Sequence, residues 1–239
     1  MTTKEHYDKH LANFYSWMAG DFDNAKNLFK EFCINNKIKP FANKLAIDLG
    51  AGNGIQSVAL AELGYRVTAI DFNEQLLSEL SNKTGNLRIK TINSDIRNLK
   101  LFNIQPELIV CCGDTLTHLE SITEAKQLIA DASEILCLNG KIMLSFRDYS
   151  LELEDTQRFI PVKSDATRLL TCVLEYFEDK VRVTDLLNEY DDGQWKQKVS
   201  SYLKIRISKE TVTKLLENLG LKIKYNQTEK GIINLIAQK

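Results

Sequence analysis

The sequence predicts an α/β fold, a mostly parallel sheet with helices on both faces, and three observations carry that prediction. Residues 45–72 read LAIDLGAGNGIQSVALAELGYRVTAIDF, an apolar run, a glycine turn, a helix-like stretch and a second β-branched run, which together make a βαβ unit. From Asp71 to Tyr149 strand-like and helix-like periods go on alternating, as a parallel sheet with right-handed crossovers requires. After Arg168 the period falls to two, and hairpin turns at Glu178-Asp179-Lys180 and Asp191-Asp192-Gly193 predict a late antiparallel ribbon.

Each element follows from local chemistry. Tyr7, Leu11, Phe14, Tyr15 and Met18 recur at helical spacing from about Lys4 to Gly20, and Ala25, Leu28, Phe29 and Phe32 mark a second helix starting near Asp21 or Asp23. The first strand runs from Leu45 to Leu49 and the next helix carries Val58, Leu60, Ala61 and Leu63. Gly64 stops that helix before the strand Arg66–Ile70. A helix on Leu76, Leu77 and Leu80 precedes a strand through Leu87, Ile89 and Thr91. Leu108–Cys112 then reads as a buried strand. Ser121 and Glu124 form a capping box for a helix through Leu136, and Lys141–Phe146 is the next strand. The ribbon comprises Leu169–Phe177, Val181–Glu189 and Trp195–Ile207. A helix capped by Ser208 and a final strand pair, Leu221–Tyr225 and Ile232–Ala237, close the chain.

The 239 residues are enough for one large domain with a substantial core, and 26% charged against 44% hydrophobic residues excludes a disordered chain. A formal net charge of -1 without a basic block argues against nucleic acid and favours a small-molecule partner. Five cysteines without C-x-x-C spacing fit a reducing cytoplasm, and no apolar run approaches the roughly 18 residues of a membrane span.

Gly50, Gly52 and Gly54 let the backbone turn tightly and lie against a ligand at the start of a helix. Asp71, about 20 residues on at the end of the second strand, is placed to accept hydrogen bonds from two adjacent ribose hydroxyls. A dinucleotide fingerprint is G-x-G-x-x-G/A, but here the glycines run G-x-G-x-G and Ile55 holds the position that wants a third small residue. Asp48, inside the strand before the turn, suits a cationic ligand better than a pyrophosphate.

Asp48-Leu49-Gly50-Ala51-Gly52-Asn53-Gly54 closely resembles motif I of the class I S-adenosylmethionine-dependent methyltransferases. The resemblance covers the order of elements over essentially the whole chain. It implies a Rossmann-like sheet of seven strands whose last strand is antiparallel, with N-terminal helices as a cap over residues 1–40 and an inserted antiparallel lid over 151–207 in a single domain. It also implies S-adenosylmethionine as cofactor, leaving as S-adenosylhomocysteine, its amino-acid tail near the glycine loop and its ribose at Asp71. By the same resemblance, Asp48, Gly50, Ala51, Gly52, Asp71 and Phe72 belong to the cofactor site. Asp95 matches the acid that accepts from the adenine amino group, and Ile96 supplies an apolar wall; a cap on the following turn is the alternative for Asp95.

Residues 111–119, CCGDTLTHL, look like the segment after the fourth strand in the small-molecule branch that includes glycine N-methyltransferases. Cys112 and Gly113 there contribute backbone contacts. Asp114 stands where Asn is common, so it is a candidate to hold an ammonium or take up a proton, and His118 is either a substrate contact or a loop anchor. Phe146-Arg147-Asp148-Tyr149 resembles the end of the fifth strand in that branch, which makes Arg147, with Tyr149 beside it, the candidate grip on a substrate carboxylate; an internal salt bridge is its alternative. Tyr7, Tyr15 and Trp17 offer an aromatic wall to a cation or simply pack the first helix.

Methyl transfer from a sulfonium needs alignment, exclusion of water and loss of one proton, so few catalytic residues are required. Asp114, His118 and Tyr15 are the candidates to take that proton. His6 and His10 form an i, i+4 pair for which a solvated face is expected, no third ligand being apparent, so no metal is expected. The leading expectation is a methyltransferase for a small acceptor, an amine or amino-acid derivative. A nicotinamide-dependent oxidoreductase and a non-catalytic S-adenosylmethionine-binding protein are the alternatives.

Overall fold

In the computed structural model, which describes residues 2–239, the N-terminal stretch is not one helix. Thr3–Lys9 (α1) is followed by a 3-10 turn at Leu11–Asn13 and by Tyr15–Ala19 (α2), with the breaks at His10 (φ -137°) and Phe14 (φ -130°). The breaks let the apolar side chains serve two surfaces. Leu11 and Phe14 bury against Leu170 and Leu187, while Tyr7 and Tyr15 turn toward the glycine loop. Phe22–Asn35 (α3) starts where predicted, the Asp21 carboxylate accepting the Asn24 N–H at 2.6 Å.

Alternation follows, with a 3-10 turn at Ile96–Phe102 in place of a helix between the third and fourth strands: Leu45–Leu49 (β1), Ile55–Glu62 (α4), Arg66–Asp71 (β2), Glu74–Ser81 (α5), Ile89–Asn93 (β3), Leu108–Cys111 (β4), Ile122–Ile135 (α6) and Lys141–Arg147 (β5). A four-stranded antiparallel sheet comes next, formed by Phe159–Ser164 (β6), Arg168–Tyr176 (β7), Lys180–Asp191 (β8) and Gln194–Ile205 (β9). Lys209–Asn218 (α7) and the hairpin Lys222–Glu229 (β10) with Ile232–Gln238 (β11) complete the chain.

The main sheet has the order β10-β11-β5-β4-β1-β2-β3, and β11 pairs antiparallel with β5 while β1 to β5 are mutually parallel. Its central strands bury both faces. Ile47, Ile109, Ile142 and Leu144 face α6 and α7; Ala46, Leu108, Val110 and Met143 face the side of Cys33 and Leu60. Strand order reverses between β1 and β4, which opens a crevice at the carboxyl ends of the strands.

The late ribbon has four strands where alternation predicts three. Strand β6 is an edge strand with Pro161, a register shift and no buried residue, so it carries no period-two signal. Strand β9 packs on α1 and on the 3-10 turn Thr115–His118, which sets the second sheet over the crevice. All five cysteines are free thiols, and among the described residues no helix is long and apolar enough to cross a membrane.

Candidate active site

The crevice contains a cavity of about 550 Å³ whose floor is the turn between β1 and α4. Gly50 and Ala51 donate N–H to the Ile70 carbonyl at 2.9 and 3.0 Å, which holds the turn against the end of β2. Glycine is required on two counts. Gly50 and Gly54 have φ of 73° and 94°, and a Cβ there would stand 2.4 Å from the Thr115 side chain and 2.2 Å from Leu80. The Asp71 carboxylate accepts the Gly52 N–H and the Asn73 N–H, each at 2.8 Å, and so is fixed at the cavity wall. Burial pushes its pKa up, opposed by those N–H groups.

Asp48 lies beneath this floor and does not line the cavity. It accepts the Ser57 hydroxyl at 2.6 Å, and burial, only partly offset by Ser57, pushes its pKa up to about 7. The folded chain therefore retains a proton that the unfolded chain, with an ordinary Asp pKa of about 3.9, has already lost. Stability of the ligand-free protein should fall as pH rises between about 4 and 7. We expect Asp48→Asn, which keeps an acceptor for Ser57, to flatten that decline and to stabilise the protein at pH 8 by about 1–3 kcal/mol in urea melts. An unchanged pH slope would assign the decline to another group.

At the far end of the cavity stand Phe72, Asp95, Ile96 and Leu119. Asp95 caps the 3-10 turn Ile96–Phe102 through the Arg97 N–H at 2.8 Å, and its carboxylate is also gripped by the Arg97 guanidinium at 2.6–3.0 Å. It thus both caps and lines. Arg97, which also reaches Glu124 at 2.9 Å, is a lining residue that the sequence reading missed.

Asp114 sits elsewhere than a proton acceptor should. Held at φ 73°, it accepts the Arg147 N–H at 2.9 Å, the Tyr149 hydroxyl at 3.0 Å and the Lys204 ammonium at 2.5 Å. Burial would raise its pKa, but Lys204 and then His118 outweigh it and keep the carboxyl below its ordinary value. An ionised, triply bonded carboxylate away from the cavity is a poor base. Tyr149 is likewise buried on this cluster, and the Arg147 guanidinium lies against the β10–β11 turn, its Nη1 3.3 Å from where a Gly231 Cβ would be. Neither lines the cavity. Asp114 meets a cation that no motif announced: Lys204 of β9, 7% exposed, its Nζ 5.5 and 5.6 Å from the ring centres of Tyr149 and Tyr202. Nothing in its sequence context marked it, because the apolar residues Trp195, Val199 and Leu203 alternate on the other, exposed face of that strand.

The cavity brings Tyr7, Tyr15, Gly113 and His118 together. His118 is wedged between the Tyr7 edge (5.6 Å between ring centres) and the Tyr202 face (5.5 Å), and its Nδ1 has no hydrogen-bond partner among the described residues. Burial, then the Lys204 ammonium, pushes its pKa down to about 3, so the imidazole is neutral near pH 7. Burial, then Asp71 and Asp48, pushes the Tyr15 phenol up to about 12, and burial raises Tyr7 as well; both keep their protons. Cys112 is buried, its thiol raised well above the ordinary range by burial, and its carbonyl accepts the Thr115 hydroxyl at 2.8 Å. Trp17 instead donates its indole N–H to Asp165 at 2.5 Å.

His6 is not on a solvated face. The second sheet covers it completely, with Nδ1 2.7 Å from Ser200 Oγ, Nε2 3.2 Å from Asp185, and its ring 4.1 Å from that of Tyr202. His10 is half-buried beside it, and no cluster of metal-ligating side chains occurs among the described residues.

Comparison with known proteins gives this geometry a context. Residues 46–140 match a family described as a methyltransferase domain. A glycine/sarcosine N-methyltransferase of Aphanothece halophytica is 30% identical over 129 residues, 52% of this chain and 48% of the relative. The chain spans about half or less of the length of the first curated relatives it matches. A solved S-adenosylmethionine-dependent methyltransferase of Clostridium acetobutylicum superposes with a TM-score of 0.73 at 20% identity, covering 98% of this chain and 96% of that one. CalS10, an amino pentose methyltransferase of Micromonospora echinaspora solved with S-adenosylmethionine bound, gives 0.73 at 14% identity over 92% and 93%. The likeness to these two shows the fold, including the antiparallel last strand that a dinucleotide-binding sheet does not ordinarily have. Residues 46–140 thus match a methyltransferase domain, and the motif and strand order around them are similar to those of the class I S-adenosylmethionine-dependent methyltransferases.

Proposed function

We propose that the protein transfers a methyl group from S-adenosylmethionine to a small amine, of amino-sugar or amino-acid type. The observation that carries this reading is one cavity that joins the Gly50–Gly54 floor and Asp71 to the unpartnered imidazole of His118. The residues fit the cofactor. Gly50 lets the turn pack on Thr115 and Gly52 keeps the floor clear beneath Tyr15, the Asp71 carboxylate has lone pairs for two ribose hydroxyls, and Phe72, Asp95 and Ile96 suit adenine. The Asp71 carboxylate at the cavity wall favours a ligand with a cationic tail. When bound, the sulfonium supplies an activated methyl group. The neutral phenol of Tyr15 and the neutral imidazole of His118 then orient the acceptor nitrogen, His118 Nδ1 accepting a hydrogen bond from it, and the proton released passes to water. Residues 2–40 act as a cap and 151–207 as a lid that excludes water, Met1 lying outside the described residues. An amine acceptor accords with the names of the relatives, glycine/sarcosine and amino pentose methyltransferases. The net charge of -1 supports a small molecule over nucleic acid, and the free thiols accord with the cytoplasm.

The test is calorimetric titration with S-adenosylmethionine, S-adenosylhomocysteine and NAD, followed by transfer of a labelled methyl group to glycine, sarcosine and a panel of amino sugars. Binding of both sulfur nucleotides and labelling of at least one amine are the expected results. Binding of NAD alone would overturn the reading, and nucleotide binding without transfer to any amine would leave a binding protein instead.

A further inference from the structure

We propose that Lys204 is a positioning residue of the transfer site, through which the second sheet fixes the Gly113–His118 segment and the His118 imidazole at the cavity wall. The inference rests on the reading of His118 given above. It starts from a disparity in what holds that segment. The Nδ1 of His118 has no hydrogen-bond partner among the described residues; the ring is oriented by stacking on Tyr202, two residues before Lys204 on the same inward face of β9. Lys204 anchors that strand to the other end of the segment, where its ammonium meets Asp114 at 2.5 Å and the Tyr149 hydroxyl at 3.4 Å. One face of one strand thus grips both ends of a single turn.

The anchor is a charge with no alternative outlet. Lys204 is buried, and burial opposes its ammonium, but Asp114, with Tyr149 and Tyr202, outweighs that and keeps it charged. The same ammonium is, after burial, the largest influence that keeps His118 unprotonated. The other titratable groups facing His118 are Tyr7 and His6 on α1, Tyr202 on β9 and Asp114 at the start of its own turn. Of these, Asp114 alone favours the imidazolium, and Lys204 neutralises it. A merely structural cross-link would hold the turn equally well without a charge. A positioning charge makes the state of the imidazole depend on its sign.

The protein has three histidines, so imidazole 15N and 13C signals of histidine-labelled full-length protein can be assigned by substitution of each. In the wild type, His118 is expected to stay neutral from pH 8 down to about pH 4, and the titration is carried below that to reach its midpoint. In Lys204→Met its midpoint should rise by at least one pH unit and its ring signals should broaden or shift, whereas Lys204→Arg, which keeps the charge, should restore the wild-type titration. If Lys204→Met alone does not fold, the double variant Asp114→Asn with Lys204→Met removes both buried charges, and His118 should again titrate above the wild type. A His118 titration that superimposes on the wild type in the folded variant, or an Arg variant that moves as far as the Met variant, would overturn the proposal. Calorimetry with S-adenosylhomocysteine on the same samples keeps the two readings apart. Loss of that binding in the wild type would sink the proposed function, while the His118 titration alone decides the role of Lys204.

Discussion

Asp71→Ala is expected to weaken S-adenosylhomocysteine binding by about 100-fold or more, as loss of two charge-assisted hydrogen bonds at about 1.5–3 kcal/mol each implies. The carboxylate is already oriented before any ligand arrives, because the Gly52 and Asn73 N–H groups hold it at 2.8 Å. Its removal therefore has a second consequence. Those two N–H groups lose their acceptor, and the ligand-free variant should lose about 1–3 kcal/mol of stability. Asp71→Asn separates the effects in part: its single amide oxygen takes one of the two N–H groups, which meet different carboxylate oxygens, so it should bind about 10-fold more weakly than the wild type and lose less stability than Asp71→Ala. Calorimetry and urea denaturation on the same preparations read both quantities. A folded Asp71→Ala variant that binds within threefold of the wild type would show that the ribose is held elsewhere.

The largest expected effect on stability is that of Asp114→Ala. It leaves the Lys204 ammonium buried without a counter-ion, and the Arg147 N–H and the Tyr149 hydroxyl without their acceptor. Breaking a buried pair from one side costs about 3–5 kcal/mol, or on the order of 10 °C in melting temperature for a chain of this size. The sign of the pH dependence follows from the depressed pKa of Asp114. Its contribution is complete above the ordinary carboxylate value and is lost as pH falls through the lower, folded value. The gap between wild type and Asp114→Ala should thus be widest above pH 5 and shrink toward pH 3. Denaturation midpoints measured across that range check it, and a gap below about 1 kcal/mol at pH 7 would mean that solvent screens the pair.

How much of this was legible in the sequence depends on the distance along the chain over which each feature is decided. The strand, turn, helix and strand from Leu45 to Asp71 are set by local rules: β-branched runs, positive-φ glycines and helix stops. The same holds for the caps at Asp21 and Ser121, whose side chains accept N–H groups three residues on. Asp71 was legible because its place depends only on the spacing from the turn. Arg147 and Asp114 were placed on the right strand ends, yet their chemistry was not, because a carboxylate is a base or half of an ion pair according to what stands opposite.

What stands opposite came from far along the chain. Lys204 is 90 positions from Asp114, and Ser200 is 194 from His6. No local pattern encodes such meetings, since strand β9 turns Ser200, Tyr202 and Lys204 inward and its apolar Trp195, Val199 and Leu203 outward, against the usual sense of the alternation. The break of the N-terminal helix at His10 and Phe14 was decided in the same way, by two surfaces that both needed its apolar side chains. The sequence by itself determined the βαβ unit, the order of the sheet elements and the place of Asp71 at the end of β2, because glycine conformation and residue period act over a few positions. The tertiary structure alone decided which charges are paired and which imidazole stays unpartnered, because burial and Coulomb energy depend on distance in space.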